Sequence, residues 1–431
     1  MMDLKKWACF IVMIGGILVM ATQQPLWASE ADLIQILKEK NVISQEEADR
    51  MMEKLKSTSQ QEKSEIKQQL KTEIKEDIKK DAGKGEFLPS ALKGFKFGTT
   101  IFTNWESKQN LKGTNASTNS FNLDRAYLSL SKDVNDWLGM NITTDLFRAT
   151  DTNDASNGYE LRIKYAYADL KFFGTSTKIG VVPTPSDAYD NSIWPYRVQG
   201  KNYLDAMGIQ SSADVGIVNQ GAFGGYMDDE YLEFASKPFS GKWGGYMIGL
   251  YNGAGYDRSE SNNNKAVSGL IYLRPLPTTP IIKGLQLAYV GNYGMSNNKY
   301  AAGSGPTAEY PDWQVNIAQV SLLHKYFGLM GQYYWGKGLK TSTEENDRDG
   351  YLAAAFVRIP GLEKLRAFGK YYTYNPDTNS PNKEYKVHVA GLSYDWSKEF
   401  MPFVSWERED NNLNSTRTDY NKYQIGFQLK F

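Results

Sequence analysis

The last ten residues constrain the fold of this chain more than any other segment. From Lys422 onward, every even position holds Lys, Gln or Gly, and every odd position is apolar. The apolar positions are Tyr423, Ile425, Phe427, Leu429 and Phe431. Side chains alternate between the two faces of a β-strand, so this strand has one apolar wall and one polar wall. A soluble edge strand would seldom expose such a wall at its terminus. The pattern indicates a membrane-embedded β-sheet.

The same alternation recurs throughout residues 90–431, and it predicts an all-β chain of sixteen strands. We place them near 94–107, 119–132, 137–149, 159–172, 176–185, 206–219, 241–256, 265–275, 283–296, 312–325, 328–338, 348–359, 363–375, 383–396, 400–410 and 418–431. Short connections alternate with long ones rich in Asn, Asp, Ser and Gly, as in outer-membrane barrels. Residues 220–240 are too long for a simple turn and could hide extra strands. Because single-chain bacterial barrels are usually even-numbered, we retain sixteen.

Physical chemistry requires such a sheet to close. Lipid offers no hydrogen-bond partners, so a sheet in a membrane must leave no free edge. The mean hydropathy of −0.52 is too polar for a bundle of membrane helices, yet 13% of the residues are aromatic. An antiparallel transmembrane barrel of sixteen strands satisfies both facts and is wide enough for an aqueous channel. Basic and acidic side chains number 49 each, which argues against nucleic acid as a partner.

Residues 1–28 are typical of a signal peptide. Lys5 and Lys6 precede an apolar run over 7–21, which is shorter than the roughly 20 residues that a membrane-spanning helix needs. Cleavage after Ala28 is predicted, and an uncleaved anchor helix is the alternative. The single cysteine, Cys9, lies in this segment, so the mature chain would contain no disulfide and no cysteine-based metal site. The segment predicts a protein that leaves the cytoplasm, and together with the barrel pattern it predicts the outer membrane of a Gram-negative bacterium.

Residues 29–89 predict a periplasmic helical leader and linker. Ser44 and Glu47 have the spacing of a capping box, which starts a helix. Apolar residues then recur every fourth position among Lys and Glu: Ile66, Leu70, Ile74 and Ile78. This stripe is compatible with a coiled coil and equally with a solvated, charged spacer helix.

Three stretches carry a resemblance to a known family. The run KIGVVPTPSDAYDNSIWPYRVQGKNYLDAMGIQSSADVG (178–216), the hairpin FNLDRAYLSLSKDVNDWLGMNITTD (121–145) and the leader LKEKNVISQEEADRM (37–51) resemble the phosphate-selective porin O and P family. The resemblance implies a homotrimeric porin for passive diffusion of small hydrophilic solutes, with its third loop folded inward. It places Asp187, Asp190 and Arg197 in a constriction loop. The arginine ladder of the family has no residue-by-residue counterpart here, so no phosphate site is transferred.

Charge on the inner wall is the expected source of selectivity. Strand parity predicts a mainly basic set of pore-lining side chains: Lys96, Arg125, Asp145, Arg162, Lys164, Arg366, Lys370 and Lys386. Rings of basic side chains favour anions. Because charges nearly cancel over the barrel as a whole, the expected anion preference is weak.

Two rival functions remain open. A membrane-embedded hydrolase would use His324 or His388, but we expect no enzyme, because no G-x-S-x-G, P-loop or HExxH motif is present. Parity places His388 inward beside Lys386, and His324 at the membrane interface. Alternatively the barrel is an envelope tether, whose segment 30–86 binds the cell wall or another periplasmic partner. No cofactor or metal is expected. The expected partners are outer-membrane lipid and, at the C-terminal strand, the barrel-assembly machinery.

Overall fold

The computed structural model describes residues 46, 49, 50, 93–111, 117–148, 158–302, 305, 309–412 and 418–431. The contacts divide the chain into two units, Met1–Lys93 and Gly94–Phe431. In the first unit, residues 46, 49 and 50 are helical, and Arg50 Nη2 lies 3.4 Å from Glu46 Oε1. The signal peptide, the capping box and the four-residue stripe lie outside the described residues and stay predictions.

The second unit is a closed antiparallel barrel in which each strand pairs with its neighbours in the sequence. The strands are β1 Phe95–Asn110, β2 Ser117–Asp133, β3 Leu138–Arg148, β4 Tyr159–Phe172, β5 Thr175–Pro183, β6 Ala213–Phe223, β7 Gly244–Tyr251, β8 Ala266–Leu273, β9 Leu285–Met295, β10 Asp312–Leu323, β11 Phe327–Lys337, β12 Asp347–Ile359, β13 Leu362–Tyr374, β14 Tyr385–Tyr394, β15 Phe400–Asn411 and β16 Tyr420–Lys430. The prediction of sixteen strands is confirmed. The largest shift is at β6, which begins at Ala213 rather than near 206.

The C-terminal strand closes the barrel against β1. The register runs from Thr100 opposite Lys430 to Asn110 opposite Tyr420, and the Thr99 amide donates to the Phe431 carbonyl at 2.7 Å. Closure leaves neither strand with an open edge. The two predicted walls of β16 are present: Tyr423 is 52% exposed on the outside, whereas its neighbour Gln424 is 4% exposed on the inside.

The outer surface has the layered character of a membrane belt. Its middle carries exposed aliphatic side chains, including Ile179, Ile217, Ile248, Leu287, Leu329 and Val404. Exposed aromatic rings lie toward both ends: Trp137, Phe172, Trp243 and Trp396 at the short-turn end, and Tyr159, Tyr293, Trp335, Tyr351 and Tyr423 toward the long-loop end. Tyr and Trp suit an interface because each has an apolar body and a polar tip. Among the described residues, no helix is both long and apolar enough to cross a membrane.

Two connections fold back on the barrel instead of standing at its rim. Residues 184–212, which we call the inward loop, join β5 to β6 and contain α1 (Pro185–Ile193) and α2 (Tyr203–Ala206). Residues 224–243, the mouth segment, join β6 to β7 at the short-turn end and contain α3 (Asp229–Leu232) and a 3₁₀ turn, Lys237–Phe239. The extra length of residues 220–240 is therefore due to helical turns and not to additional strands.

The inward loop packs an apolar core against the inner wall of β7–β15. The Tyr196 ring stacks on Phe368 with centroids 4.0 Å apart, and Trp194 packs edge-on against Tyr196 at 5.0 Å. Wall residues such as Ile317 and Leu352 are buried beneath the loop. On this side of the barrel, therefore, apolar side chains face the lumen as well as the lipid.

Candidate functional site

Hydrogen bonds to the wall fix the inward loop in place. Gln332 donates to the Asp190 carboxylate at 2.7 Å, and the Tyr203 hydroxyl donates to the Thr373 carbonyl at 2.8 Å. Gly350 is required beneath this contact, because a Cβ there would collide with the Tyr203 hydroxyl. The loop is therefore bonded to the inner wall through α1 and through α2.

The opposite side of the lumen is lined mainly by polar side chains. Inward positions of β16 and β1–β5 carry Asn104, Asn122, Arg125, Asn141, Asp145, Arg162, Lys178, Lys422 and Gln424. We call the space between this polar wall and the inward loop the passage.

Beside the inward loop, the passage contains a cavity of about 230 Å³, which we call the basic pocket. Seven bases line it. Three stand on the barrel wall, two on the inward loop and two on the connections at the long-loop end: Arg125, Arg162 and Lys164; Arg197 and Lys201; Arg258 and Lys340. The carboxylates Asp205 and Asp257 also line it. Counting the buried Asp145 of the wall, seven bases face three acids.

Asp145 fixes the two wall arginines. Its fully buried carboxylate accepts from Arg125 Nη1 at 2.7 Å and from Arg162 Nη2 at 2.9 Å, both through Oδ2. Arg162 also lies over the Phe147 ring, with its Cζ 4.0 Å from the centroid. The carboxylate therefore orders the guanidinium groups instead of presenting a free negative charge to the passage.

A β-bulge changes which side chains of β4 face the lumen. The register between β3 and β4 shifts at Thr143/Thr144, which gives β4 one extra residue at Lys164. Beyond the bulge, Tyr165 and Tyr167 face inward, where the ammonium of Lys164 lies 5.4 Å from the Tyr165 ring. Before the bulge Leu161 faces outward, so strict alternation along β4 would have put both tyrosines on the outer face as well. Periodicity in a sequence carries no sign of a bulge.

The two acids predicted for the constriction are buried in the anchoring side of the inward loop. Asn202 and Asn191 donate to the Asp187 carboxylate, each at 2.8 Å. Burial, and then the charge of Asp187, raise the pKa of Asp190 to about 8. Asp190 bonds to Gln332 of the wall, so of the three predicted loop residues only Arg197 borders the basic pocket.

Three other predicted bases face inward but lie away from this pocket. Lys96 lies at the short-turn rim, 2.9 Å from Asp133 and largely exposed. Arg366 pairs with Asp395, and its Cζ lies 5.5 Å from the Tyr196 ring centroid. Lys370 is buried, with its Nζ 5.6 Å from the Tyr372 ring.

Lys386 and His388 were predicted to face inward, and the structure places both on the outer face. The inward positions of β14 are the buried Val387 and Val389, so the residues between them point out. His388 packs edge-on against Tyr371, with centroids 4.8 Å apart. The error has a physical cause. Where the inward loop fills the lumen, both the lipid-facing and the lumen-facing side chains of a strand are largely apolar. Polar residues then no longer indicate which face of the strand is the inner one.

Sequence reasoning also missed three of the bases, Lys201, Arg258 and Lys340. Each lies on a connection rather than on a strand. The alternation of side chains between two faces applies only to strands, so it predicts nothing about these residues. His324 lies in the turn between β10 and β11, beside the rings of Tyr326 and Phe327. Within the described part of the chain, no group of three His, Cys, Asp or Glu residues is placed to hold a metal.

A closed barrel of sixteen antiparallel strands, with a long third loop folded inward beside a polar passage, is the fold of outer-membrane porins. Solved structures share it. The anion-selective porin from Comamonas acidovorans is 13% identical with a TM-score of 0.54, over 78% of this chain and 99% of that one. OprB of Pseudomonas putida is 11% identical with a TM-score of 0.53, over 81% of this chain and 97% of that one. OmpF of Salmonella typhi, in complex with daunomycin, is 12% identical with a TM-score of 0.52, over 78% and 97%.

These identities are low, so the likeness shows the fold alone. No protein-family model matches the sequence. No curated protein matches it either. The resemblance to the phosphate-selective porin O and P family therefore stays a prediction.

Proposed function

We propose that this protein is an outer-membrane porin that passes small hydrophilic solutes by diffusion and prefers anions. The basic pocket carries the proposal, because seven bases and three carboxylates meet beside the inward loop. Cations approaching this excess of positive charge are repelled, whereas anions exchange part of their hydration for Arg, Lys and Ser donors. Diffusion needs no chemical step, so we propose no enzymatic activity.

The preference is weak in this proposal, because the same passage also contains acids. Asp124, Asp169 and Glu407 lie at inward positions of β2, β4 and β15. Arg162 and Lys340 each lie within 4 Å of Asp257 as well. Part of the positive charge of the pocket is therefore neutralised within the protein, and cations are slowed rather than excluded.

The proposal includes the location of the barrel and its partners. The aliphatic belt between two aromatic layers suits the outer membrane, with the long loops outside the cell and residues 29–89 in the periplasm. We also propose a homotrimer and recognition of β16 by the barrel-assembly machinery. Deleting residues 30–86 tests the tether alternative: a porin keeps its conductance, whereas a tether loses its association with the cell wall.

Planar-bilayer recording across a potassium chloride gradient tests the proposed function. We expect stepwise openings and a reversal potential displaced toward that of chloride. The matched variant carries Arg125→Gln, Arg162→Gln and Asp145→Asn together, which leaves no buried charge unpaired. Its reversal potential should move toward zero. Protein that is folded by heat-modifiable gel mobility, yet silent in the bilayer, would refute a channel function.

A further inference from the structure

The bases of the basic pocket come from three separate parts of the fold. Arg125, Arg162 and Lys164 form its wall side, and Arg197 and Lys201 form its loop side. The third side is a roof, made by Arg258 of the β7–β8 connection and Lys340 of the β11–β12 connection. An anion inside the pocket is therefore met by positive charge from three directions.

The roof is held in position by contacts among three outer connections, with Asn297 of the β9–β10 connection at their centre. The Asn297 amide donates to the Lys340 carbonyl at 2.7 Å. Its side chain accepts from the Ser261 amide at 2.8 Å and donates to the Ser259 carbonyl at 3.0 Å. Asn298 donates to the Thr341 carbonyl at 2.7 Å. A base held in this way is preorganised for a ligand.

The size of the pocket sets the size of its occupant. Liquid water takes about 30 Å³ per molecule, so a cavity of about 230 Å³ corresponds to roughly seven or eight waters. An inorganic oxyanion such as phosphate would fill well under half of it. An organic anion of about ten carbon and oxygen atoms would reach all three sides.

The charges of the pocket determine how many negative charges its occupant carries. The pocket has an excess of four positive charges after its three carboxylates are counted. The Asp257 carboxylate lies 3.9 Å from Arg162 of the wall and 3.8 Å from Lys340 of the roof, and the Asp205 carboxylate lies 3.5 Å from Arg197 of the loop side. A molecule with two or three carboxylates can pair with the bases of all three sides at once. The hydroxyl of Ser211 accepts from Lys340 and that of Ser212 accepts from Lys164, so both hydroxyls can donate to a carboxylate.

We infer that the basic pocket is a binding site for an organic anion with two or three negative charges, of the di- or tricarboxylate class. The inference rests on the proposed function and names the solute class that this passage favours. One carboxylate accepts from the guanidinium groups held by Asp145, and another accepts from Lys340. The bound anion then leaves by diffusion, with no covalent step.

Single-channel recording with citrate tests the inference. Citrate, added on the long-loop side, should cause brief interruptions of the chloride current whose frequency rises with concentration. Gluconate has the same number of carbon and oxygen atoms but one carboxylate, and inorganic phosphate is small. We expect both to need at least about tenfold higher concentration for equal block. Equal block by phosphate or gluconate would overturn the inference.

Two variants locate the site. Lys340→Gln should weaken citrate block about tenfold. Lys386→Gln, on the outer face, is the matched control and should leave the block unchanged. If an anion-preferring channel conducts but citrate does not block it, the pocket inference fails and the porin function stands. If citrate blocks the Lys340→Gln variant at the same concentration as the unmodified protein, the roof is not part of the site. That result would also overturn the inference.

Discussion

Tyr196 anchors the inward loop by its ring, so we expect the width of the passage to depend on it. Its side chain is fully buried, stacks on Phe368 at 4.0 Å, and has its hydroxyl 3.1 Å from Ser393 Oγ. Replacing a buried aromatic ring by alanine costs about 3–5 kcal/mol, and a lost hydrogen bond costs about 1 kcal/mol. We expect Tyr196→Ala to weaken docking of the loop by about 4 kcal/mol.

That free energy corresponds to roughly a thousandfold increase in the undocked population, since each 1.4 kcal/mol is about a factor of ten. Single-channel recording should then show a larger mean conductance and more current noise. Tyr196→Phe keeps the ring and loses only the hydroxyl, so the undocked population should rise only about fivefold.

Tyr423→Ala removes an aromatic side chain from the outer face and is the control for general damage to the barrel. It should leave the conductance unchanged. The reasoning would be refuted if Tyr196→Ala matched the unmodified protein in conductance, in noise and in the temperature at which the barrel unfolds on a gel. The loop would then be held by its hydrogen bonds alone.

Two further predictions concern the roof and the buried acid. Asn297→Ala removes the side-chain bonds to Ser259 and Ser261, so the roof loosens and the reversal potential in a salt gradient should shift toward zero; an unchanged potential would show that Lys340 keeps its place without them. The pKa of Asp190 is raised to about 8 in the docked loop, above its ordinary value near 4, so the docked state holds a proton that the undocked state releases. Docking should therefore weaken as the pH rises from about 4 to 8 and stay level above that, seen as increasing current noise. Asp190→Asn should abolish this dependence, and noise that fell with rising pH would contradict the sign.

The sequence by itself determined the barrel. Alternation with a period of two, and long and short connections in turn, were enough to predict sixteen strands. Lipid outside the barrel favours apolar side chains and water inside favours polar ones, so the two faces of each strand differ in sequence. The same physics predicted the two walls of β16. Arg125, Asp145, Arg162 and Lys164 lie on strands where alternation and polarity agree, because the lumen is polar on that side.

Only the tertiary structure decided the rest. The inward loop turns the lumen beside β7–β15 into an apolar core, so the phase of β14 could not be predicted from polarity, and Lys386 and His388 proved to face outward. The bulge at Lys164 depends on pairing between β3 and β4, which no single strand encodes. Lys201, Arg258 and Lys340 reach one pocket because separate connections fold over the barrel. Contacts between residues far apart in the sequence decide these features, and a local pattern of polarity does not contain them.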